Sequence, residues 1–176
     1  MTTLIIIRGN SGSGKTTLAH QLHRVLPDSL LISQDIVRRE MLNVKDQVGN
    51  LSISLIEQLL EFGNQQEQFV ILEGILKNSV YGPMIRKQIQ YFSQVVTVYY
   101  QLSLNETVRR HCTKQVTDFT PNDLTRWYQR DDSLRIEREM IFDESVSLMM
   151  AEKQILNKIN KYSGRECYQI LRQLKN

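Results

Sequence analysis

Nine consecutive residues near the N-terminus combine three glycines, a lysine and two threonines in an order suited to binding phosphate. They are Gly9, Asn10, Ser11, Gly12, Ser13, Gly14, Lys15, Thr16 and Thr17. Glycines let the backbone curl so that successive N–H groups point at phosphate oxygens. The spacing also lets Lys15 reach β- and γ-phosphates and the Thr16 hydroxyl bind Mg²⁺. The segment predicts a nucleotide site with a catalytic lysine, whose side chain we expect to face solvent when no nucleotide is bound.

The nucleotide is expected to be ATP rather than GTP. GTP-specific proteins need an additional element that contacts the base. Asp46-x-x-Gly49 resembles a GTPase switch sequence but follows no predicted strand, and Asn157–Asn160 lacks the acid that would contact guanine. ATP and Mg²⁺ are therefore the predicted cofactors.

Asp35 follows a short apolar run and precedes a helical pattern at Ile36–Leu42. It suits two roles, either the general base that accepts the proton of an attacking hydroxyl or the N-cap of the helix. We favour the base, because the second strand commonly neighbours the phosphate-binding loop in α/β folds and ligands bind at the carboxyl ends of the strands. Asp35 is therefore predicted to be catalytic and to contact the acceptor.

Glu73 directly follows the apolar run Phe69–Leu72. Proteins with this kind of loop place a carboxylate there that faces Mg²⁺, usually through water. Binding the acceptor is an equal alternative, and a surface glutamate is a third. Glu73 is thus a candidate for both the metal site and the acceptor site.

Arginines can stabilise the negative charge that develops during phosphoryl transfer. Arg109 and Arg110 lie together on one predicted helix. Arg126 and Arg130 are four residues apart after the helix-start pattern Thr120–Asp123. Like charges at that spacing destabilise a helix unless an anion lies between them, and the anion is either the phosphates of ATP or the neighbouring acids Asp131 and Asp132. Trp127 and the three histidines are interpreted as packing and surface residues, respectively.

Short apolar runs alternate with helical patterns along the chain. The strands are predicted at Leu4–Ile7, Leu30–Ile32, Phe69–Leu72 and Val95–Tyr100, with a weaker fifth at Met140–Phe142. The helices are predicted at Lys15–Leu26, Leu51–Phe62, Met84–Phe92, Leu104–His111 and Val146–Ile159. In the second helix, Leu51, Leu55, Leu59 and Phe62 form the predicted apolar stripe. This alternation is typical of an α/β fold with a parallel sheet covered by helices on both faces.

The composition is that of a globular protein with a single core. The chain has 176 residues, 41% hydrophobic and 23% charged, and we interpret residues 1–176 as one domain. Its net charge of +3, with acids and bases interspersed, is too small to indicate nucleic-acid binding by itself. No apolar run approaches a membrane span, and no secretory signal is evident. Two cysteines fit a reducing cytoplasm, and nothing in the sequence indicates an oligomeric state.

The phosphate-binding motif, Ser33–Arg38, Val70–Gly74 and Tyr100–Arg110 together resemble the small adenylate-kinase-like P-loop kinases. Similar proteins are the bacteriophage polynucleotide kinase domain, the zeta toxins and bacterial predicted kinases. The resemblance implies a P-loop NTPase three-layer sandwich with a five-stranded sheet and a helical lid at about 113–132. It also implies Lys15 and Thr16 on ATP and Mg²⁺, Asp35 as base, Arg38 near the acceptor and Arg126 over the phosphates. Arg110 and Arg130, from the two arginine clusters, are further candidate nucleotide contacts. The tail at about 162–174 is predicted to form an extra amphipathic helix outside this core.

Three classes of function fit these residues. The favoured one is an ATP-dependent kinase acting on a hydroxyl group of a small molecule. A polynucleotide 5′-hydroxyl kinase or a zeta-toxin-like nucleotide-sugar kinase is the alternative, so a nucleic acid is a less favoured acceptor. The third is an ATP-binding regulatory module without catalysis, which would not need Asp35 to activate a hydroxyl.

Overall fold

Five parallel strands form one sheet in the order β2-β3-β1-β4-β5. The computed structural model describes residues 1–112 and 120–163. The strands are β1 Thr3–Gly9, β2 Ser29–Ser33, β3 Phe69–Gly74, β4 Gln94–Tyr100 and β5 Met140–Phe142. The helices are α1 Lys15–Val25, α2 Leu51–Gln66, α3 Asn78–Gln88, α4 Leu104–Cys112, α5 Pro121–Trp127 and α6 Leu148–Ser163, with a short π-helix at Ile36–Met41. The five predicted strands are confirmed.

Strand β1 lies at the centre of the sheet and is buried on both faces. Its side chains alternate between the faces, so Ile5 and Ile7 contribute to one core cluster and Leu4 and Ile6 to the other. The first cluster also contains apolar side chains of α1 and α6, namely Leu18, Ala19, Leu22, Ala151, Ile155 and Ile159. The second contains side chains of α2 and α3, namely Ile56, Leu60, Tyr81, Met84 and Ile85. This double coverage explains why the strand is apolar at successive positions.

Helix α2 buries a different face from the one predicted. Leu51 and Phe62 are 65% and 54% exposed, whereas Ile56 and Leu60 are fully buried. Gly63 lies on the buried face, where β3 comes so close that a Cβ would lie 2.6 Å from Cγ2 of Val70. Leu55 and Leu59 of the predicted stripe are half-buried and pack against the same core, so the prediction was wrong at Leu51 and Phe62. Counting large side chains ignored the close approach of helix and sheet that a glycine permits.

Helix α3 begins earlier than predicted, at Asn78 instead of Met84. The carboxylate of Asp132 accepts hydrogen bonds from the backbone N–H of Asn78 at 2.9 and 3.2 Å. The cap therefore comes from a residue remote in sequence, and no local pattern could indicate it. Pro83 lies inside the helix, although the sequence suggested a helix that starts after it.

Two predicted features lie wholly or partly outside the described residues. One is the expected lid, of which residues 113–119 are not described. The other is the predicted C-terminal helix, of which the part beyond residue 163 is not described. Within residues 1–112 and 120–163, no helix is long and apolar enough to cross a membrane.

Candidate active site

The phosphate-binding loop, Gly9–Thr17, connects the end of β1 to the start of α1. Gly12 has a φ of 82°, in the left-handed region, and a Cβ there would lie 2.7 Å from the carbonyl oxygen of Thr107. Only glycine fits this position, because it tolerates both the backbone conformation and the contact with α4. The loop is thus held between the central strand and two helices, with the N-terminus of α1 directed at the site.

Lys15 is buried in the loop, and the expectation of a solvent-facing side chain was wrong. Its ammonium group donates to the carbonyl oxygen of Asn10 at 2.8 Å and to the hydroxyl of Ser13 at 3.4 Å. A charged amine cannot be buried without such partners. The loop itself supplies the acceptors, so the lysine side chain is already held against the loop.

A hydroxyl–carboxylate contact connects the loop to the ends of two strands. The Thr16 hydroxyl donates to Oε2 of Glu73 at 3.1 Å, and the Ser33 hydroxyl donates to Oε1 of the same carboxylate at 2.6 Å. Ser33 and Glu73 are also paired in register between β2 and β3. Glu73 is buried, so the interpretation as a surface glutamate was wrong. These oxygens are ligands of the kind that Mg²⁺ prefers.

Asp35 lies two residues beyond Ser33, at the start of the π-helix, but does not cap it. Its side chain makes no capping hydrogen bond, and Oδ1 instead accepts from Nη2 of Arg38 at 3.0 Å. The carboxylate is half exposed, and Oδ2 accepts no hydrogen bond from the described part of the chain. In the sheet, β3 lies between β2 and β1. Asp35 is nevertheless connected to the loop through Ser33 and Glu73.

Arg110 contacts the phosphate-binding loop directly. Its Nη1 donates to the carbonyl oxygen of Ser13 at 3.0 Å, while its Nε donates to Glu106 at 2.6 Å. Arg109 also binds Glu106, at 2.7 Å. Hydrogen bonds from Arg109 and then Arg110 lower the pKa of Glu106 from 4.5 to about 2. Glu106 therefore stays ionised and holds one arginine against the loop.

Arg126 makes its side-chain contacts within its own helix, and Arg130 lies in the segment that follows that helix. Arg126 is exposed, donates to Asp123 at 2.9 Å and lies over the ring of Trp127. Arg130 lies beyond the end of α5, so the two arginines do not share a helix face as predicted. Asp131 and Asp132 do not neutralise them either, because Asp131 pairs with Arg135 and Asp132 with Arg8.

Sequence reasoning missed the residues that hold the segment after α5 against the loop. The side-chain amide of Asn10, predicted to bind the cofactor, donates to the carbonyl oxygen of Gln129 at 2.7 Å and accepts from its N–H at 3.0 Å. Arg8 is completely buried and pairs with Asp132 at 3.0 Å. Burial lowers the pKa of Arg8 and raises that of Asp132, and their mutual attraction opposes both shifts. A charged residue at the end of an apolar strand was the available signal.

One of the three histidines predicted to lie on the surface is buried instead. His111 is buried on α4 behind the loop, and its Cβ lies 3.5 Å from the position of a Cβ on Gly12. His20 and His23 are exposed on α1, as expected.

The glycine loop lies between a central parallel strand and a helix, and it carries a lysine and the hydroxyl–carboxylate contact. These features define a P-loop nucleotide-binding protein. Residues 4–129 match a family described as an AAA domain. The match spans more than half of the 176 residues, and the chain belongs to this family. A comparison with curated protein sequences gave no match.

Several solved structures share this fold at low sequence identity. A gluconokinase from Sinorhizobium meliloti is 16% identical with a TM-score of 0.67, and the match covers 95% of this chain and 97% of that one. The APS kinase of Mycobacterium tuberculosis, in complex with AMPPNP and APS, is 15% identical with a TM-score of 0.61 over 90% and 98%. Shikimate kinase from Acinetobacter baumannii, in complex with shikimate, is 15% identical with a TM-score of 0.58 over 94% and 96%. The fold expected from the resemblance to small P-loop kinases is confirmed.

Proposed function

We propose that the protein is an ATP-dependent kinase that transfers the γ-phosphate of ATP to a hydroxyl group of a small molecule. The observation that carries this proposal is the continuous contact from Thr16 through Glu73 to Ser33, two residues before Asp35. It connects the nucleotide loop to an accessible carboxylate. A protein that only bound ATP would not need that carboxylate beside its phosphates.

The residues fit ATP and Mg²⁺. The backbone N–H groups of Gly9–Thr17, together with Lys15 and Arg110, would bind the phosphates. Thr16 and Glu73 would hold Mg²⁺, which neutralises charge on the phosphates when bound. Within the described residues, no group of three His, Cys, Asp or Glu side chains could hold a metal by itself. This suits Mg²⁺, since it takes most of its ligands from phosphate and water.

Asp35 would act as the general base. As the acceptor oxygen attacks the γ-phosphorus, Oδ2 of Asp35 accepts the hydroxyl proton, the bond between the γ-phosphorus and the bridging oxygen breaks, and ADP leaves. Arg38 holds the carboxylate through Oδ1 and, with Glu73, would orient the acceptor. The role of Arg126 over the phosphates stays a prediction, because it contacts Asp123 here.

Two considerations favour a small acceptor. The structurally similar gluconokinase, APS kinase and shikimate kinase are named as kinases of small molecules. Two basic side chains on the proposed acceptor side are also paired with acids, Arg38 with Asp35 and Lys77 with Asp46, each at 3.0 Å. A polynucleotide acceptor would need unpaired cations that follow its backbone.

The test is a screen of ADP release with Mg²⁺, ATP and a panel of sugars, nucleosides, aminoglycosides and 5′-hydroxyl oligonucleotides. With the acceptor that is used, Asp35→Asn should lower kcat by about 10²–10⁴-fold while ATP affinity changes only a few-fold. Asp28→Asn, a change at an exposed turn with positive φ that asparagine tolerates, is the matched control and should retain activity. Unchanged turnover in Asp35→Asn would refute the proposed base.

A further inference from the structure

The peptide groups of Leu76 are held by two buried side chains, one on β1 and one on the residue that follows β2. Its N–H donates to Oε1 of Gln34 at 3.0 Å, and its carbonyl oxygen accepts from Nε and Nη2 of Arg8 at 3.1 and 2.8 Å. Gln34 is 1% exposed and Arg8 is 0% exposed. Leu76 itself has a φ of 47°, in the left-handed region that leucine rarely adopts. The three side-chain hydrogen bonds hold the backbone in this conformation.

Gly74 makes room for this arrangement. A Cβ on Gly74 would lie 2.5 Å from Oε1 and 2.6 Å from Cβ of Gln34. The side chain of Gln34 therefore crosses directly over the glycine to reach Leu76. The last two residues of β3 thus have separate roles. Glu73 places its carboxylate at the site, and Gly74 leaves the space that the side chain of Gln34 fills.

Each member of this junction is close in sequence to a residue of the proposed site. Gln34 immediately precedes Asp35, Arg8 immediately precedes the loop residue Gly9, and Leu76 follows Glu73 by three positions. Arg8 continues the network, because its Nη2 donates to both the side chain and the backbone carbonyl of Asp132. The ends of β1, β2 and β3 are therefore joined under the site by charged or amide hydrogen bonds shielded from water, which strengthens them.

We propose that Gln34 and Arg8 are positioning residues for phosphoryl transfer, and that the Leu76 junction sets the location of Asp35 relative to the phosphate-binding loop. This rests on the proposed kinase function. Neither side chain touches the reacting atoms; they act through Asp35 and Gly9. Small displacements of a base or a phosphate site reduce rates strongly, so a rigid connection between them has a catalytic effect.

A double-mutant cycle separates positioning from a purely structural role. Gln34→Met keeps the volume of the side chain and removes the acceptor for Leu76. With ATP and the acceptor found in the screen, it should lower kcat by about 10–100-fold and leave the KM for ATP within about 3-fold. In an Asp35→Asn background the same change should lower kcat by less than about 3-fold, since the base it positions is gone.

The outcomes distinguish this inference from the proposed function. If Asp35→Asn lowers turnover and Gln34→Met lowers it further by its full factor in that background, the positioning role is overturned while the kinase function stands. If Asp35→Asn leaves turnover unchanged, the proposed base and the positioning role both fail, while the observed transfer still shows a kinase. Asp131→Asn, a change at an exposed neighbour of Asp132, is the control and should leave kcat unchanged.

A second measurement needs no turnover. Hydrogen–deuterium exchange of peptides covering residues 9–16 should be faster in Gln34→Met than in the wild type, although residue 34 lies in another segment of the chain, and Asp131→Asn should show no such change. If Gln34→Met does not fold, Arg8→Lys, which loses the two-atom contact with the Leu76 carbonyl, should speed exchange at residues 34–42. Changes confined to the substituted segment and residue 76 would overturn the junction.

Discussion

At the scale of single residues, the buried position of Lys15 makes it part of the loop before any nucleotide binds. Lys15→Met should lower phosphoryl transfer by about 10²-fold or more, because it removes the cation facing the β- and γ-phosphates. The loss of the hydrogen bond to the Asn10 carbonyl should also weaken ATP binding. Transfer of labelled γ-phosphate and calorimetric titration with ATP measure the two effects.

The matched control is Lys153→Met, which removes the same charge from an exposed position on α6. It should transfer phosphate at the wild-type rate. Thermal unfolding of both variants close to the wild-type temperature would show that the difference is local to the site. Wild-type turnover in Lys15→Met would contradict the nucleotide site itself.

From the sequence we could predict which residues belong to the site, but not which partners their side chains contact. The spacing of Gly9–Thr17 specifies a backbone conformation, so the loop and its lysine could be located from the motif alone. Asp35 and Glu73 could be placed at one sheet edge because strand ends are local features. The partners of Arg8 and Asn10 could not be predicted, because each depends on which distant segment packs against it.

At the scale of elements, the Glu106 carboxylate couples the stability of α4 to pH. Its folded-state pKa of about 2 is below that of an unfolded glutamate, so the ionised form is favoured by folding. The stabilisation is fully present above the unfolded pKa of about 4.3 and is lost as pH falls through the folded pKa. Thermal unfolding of the wild type and Glu106→Gln between pH 7 and pH 2 should show a difference that shrinks below about pH 4.5. A difference independent of pH would mean that the carboxylate's charge contributes nothing.

Helix α2 provides a direct test of the buried face. Ile56→Ala should lower the free energy of unfolding by about 2–5 kcal/mol, because it leaves a cavity in the core beneath the sheet. Phe62→Ala should change it by less than about 0.5 kcal/mol, since the ring is mostly exposed. Denaturant unfolding of the two variants gives both values. If Phe62→Ala lowered the free energy of unfolding more than Ile56→Ala did, the face predicted from the sequence would be the buried one.

Strands were predicted more accurately than helix faces and helix starts for a physical reason. Burial on both sides makes a central strand apolar at every position, and that pattern is independent of the neighbours. The buried face of α2 depends on Gly63 and its close approach to Val70, and the start of α3 depends on the carboxylate of Asp132. Both are tertiary contacts that the local sequence does not encode.

At the scale of the whole molecule, several basic side chains around the proposed site are paired with acids. The net charge is +3, from 22 basic and 19 acidic residues. Near the proposed acceptor side, Arg38 and Lys77 are paired with Asp35 and Asp46. On α4, Glu106 binds both Arg109 and Arg110. These pairs lower the positive charge that the acceptor side could offer to a polyanion.

This distribution predicts how phosphorylation responds to salt. Proteins that make 6–10 contacts with a nucleic acid backbone lose about 10³–10⁵ in affinity between 50 and 200 mM salt. A small acceptor bound by Asp35, Arg38 and Glu73 makes few ionic contacts, so its kcat/KM should change by less than about 3-fold over that range. The measurement compares labelling of a 5′-hydroxyl oligonucleotide with labelling of free sugars and nucleosides at both salt concentrations. We expect a small acceptor to be used at both and the oligonucleotide to be labelled weakly at either. Efficient, salt-sensitive labelling of the oligonucleotide without use of any small acceptor would identify a polynucleotide kinase instead, and would require a cationic path that the paired arginines and lysines do not provide.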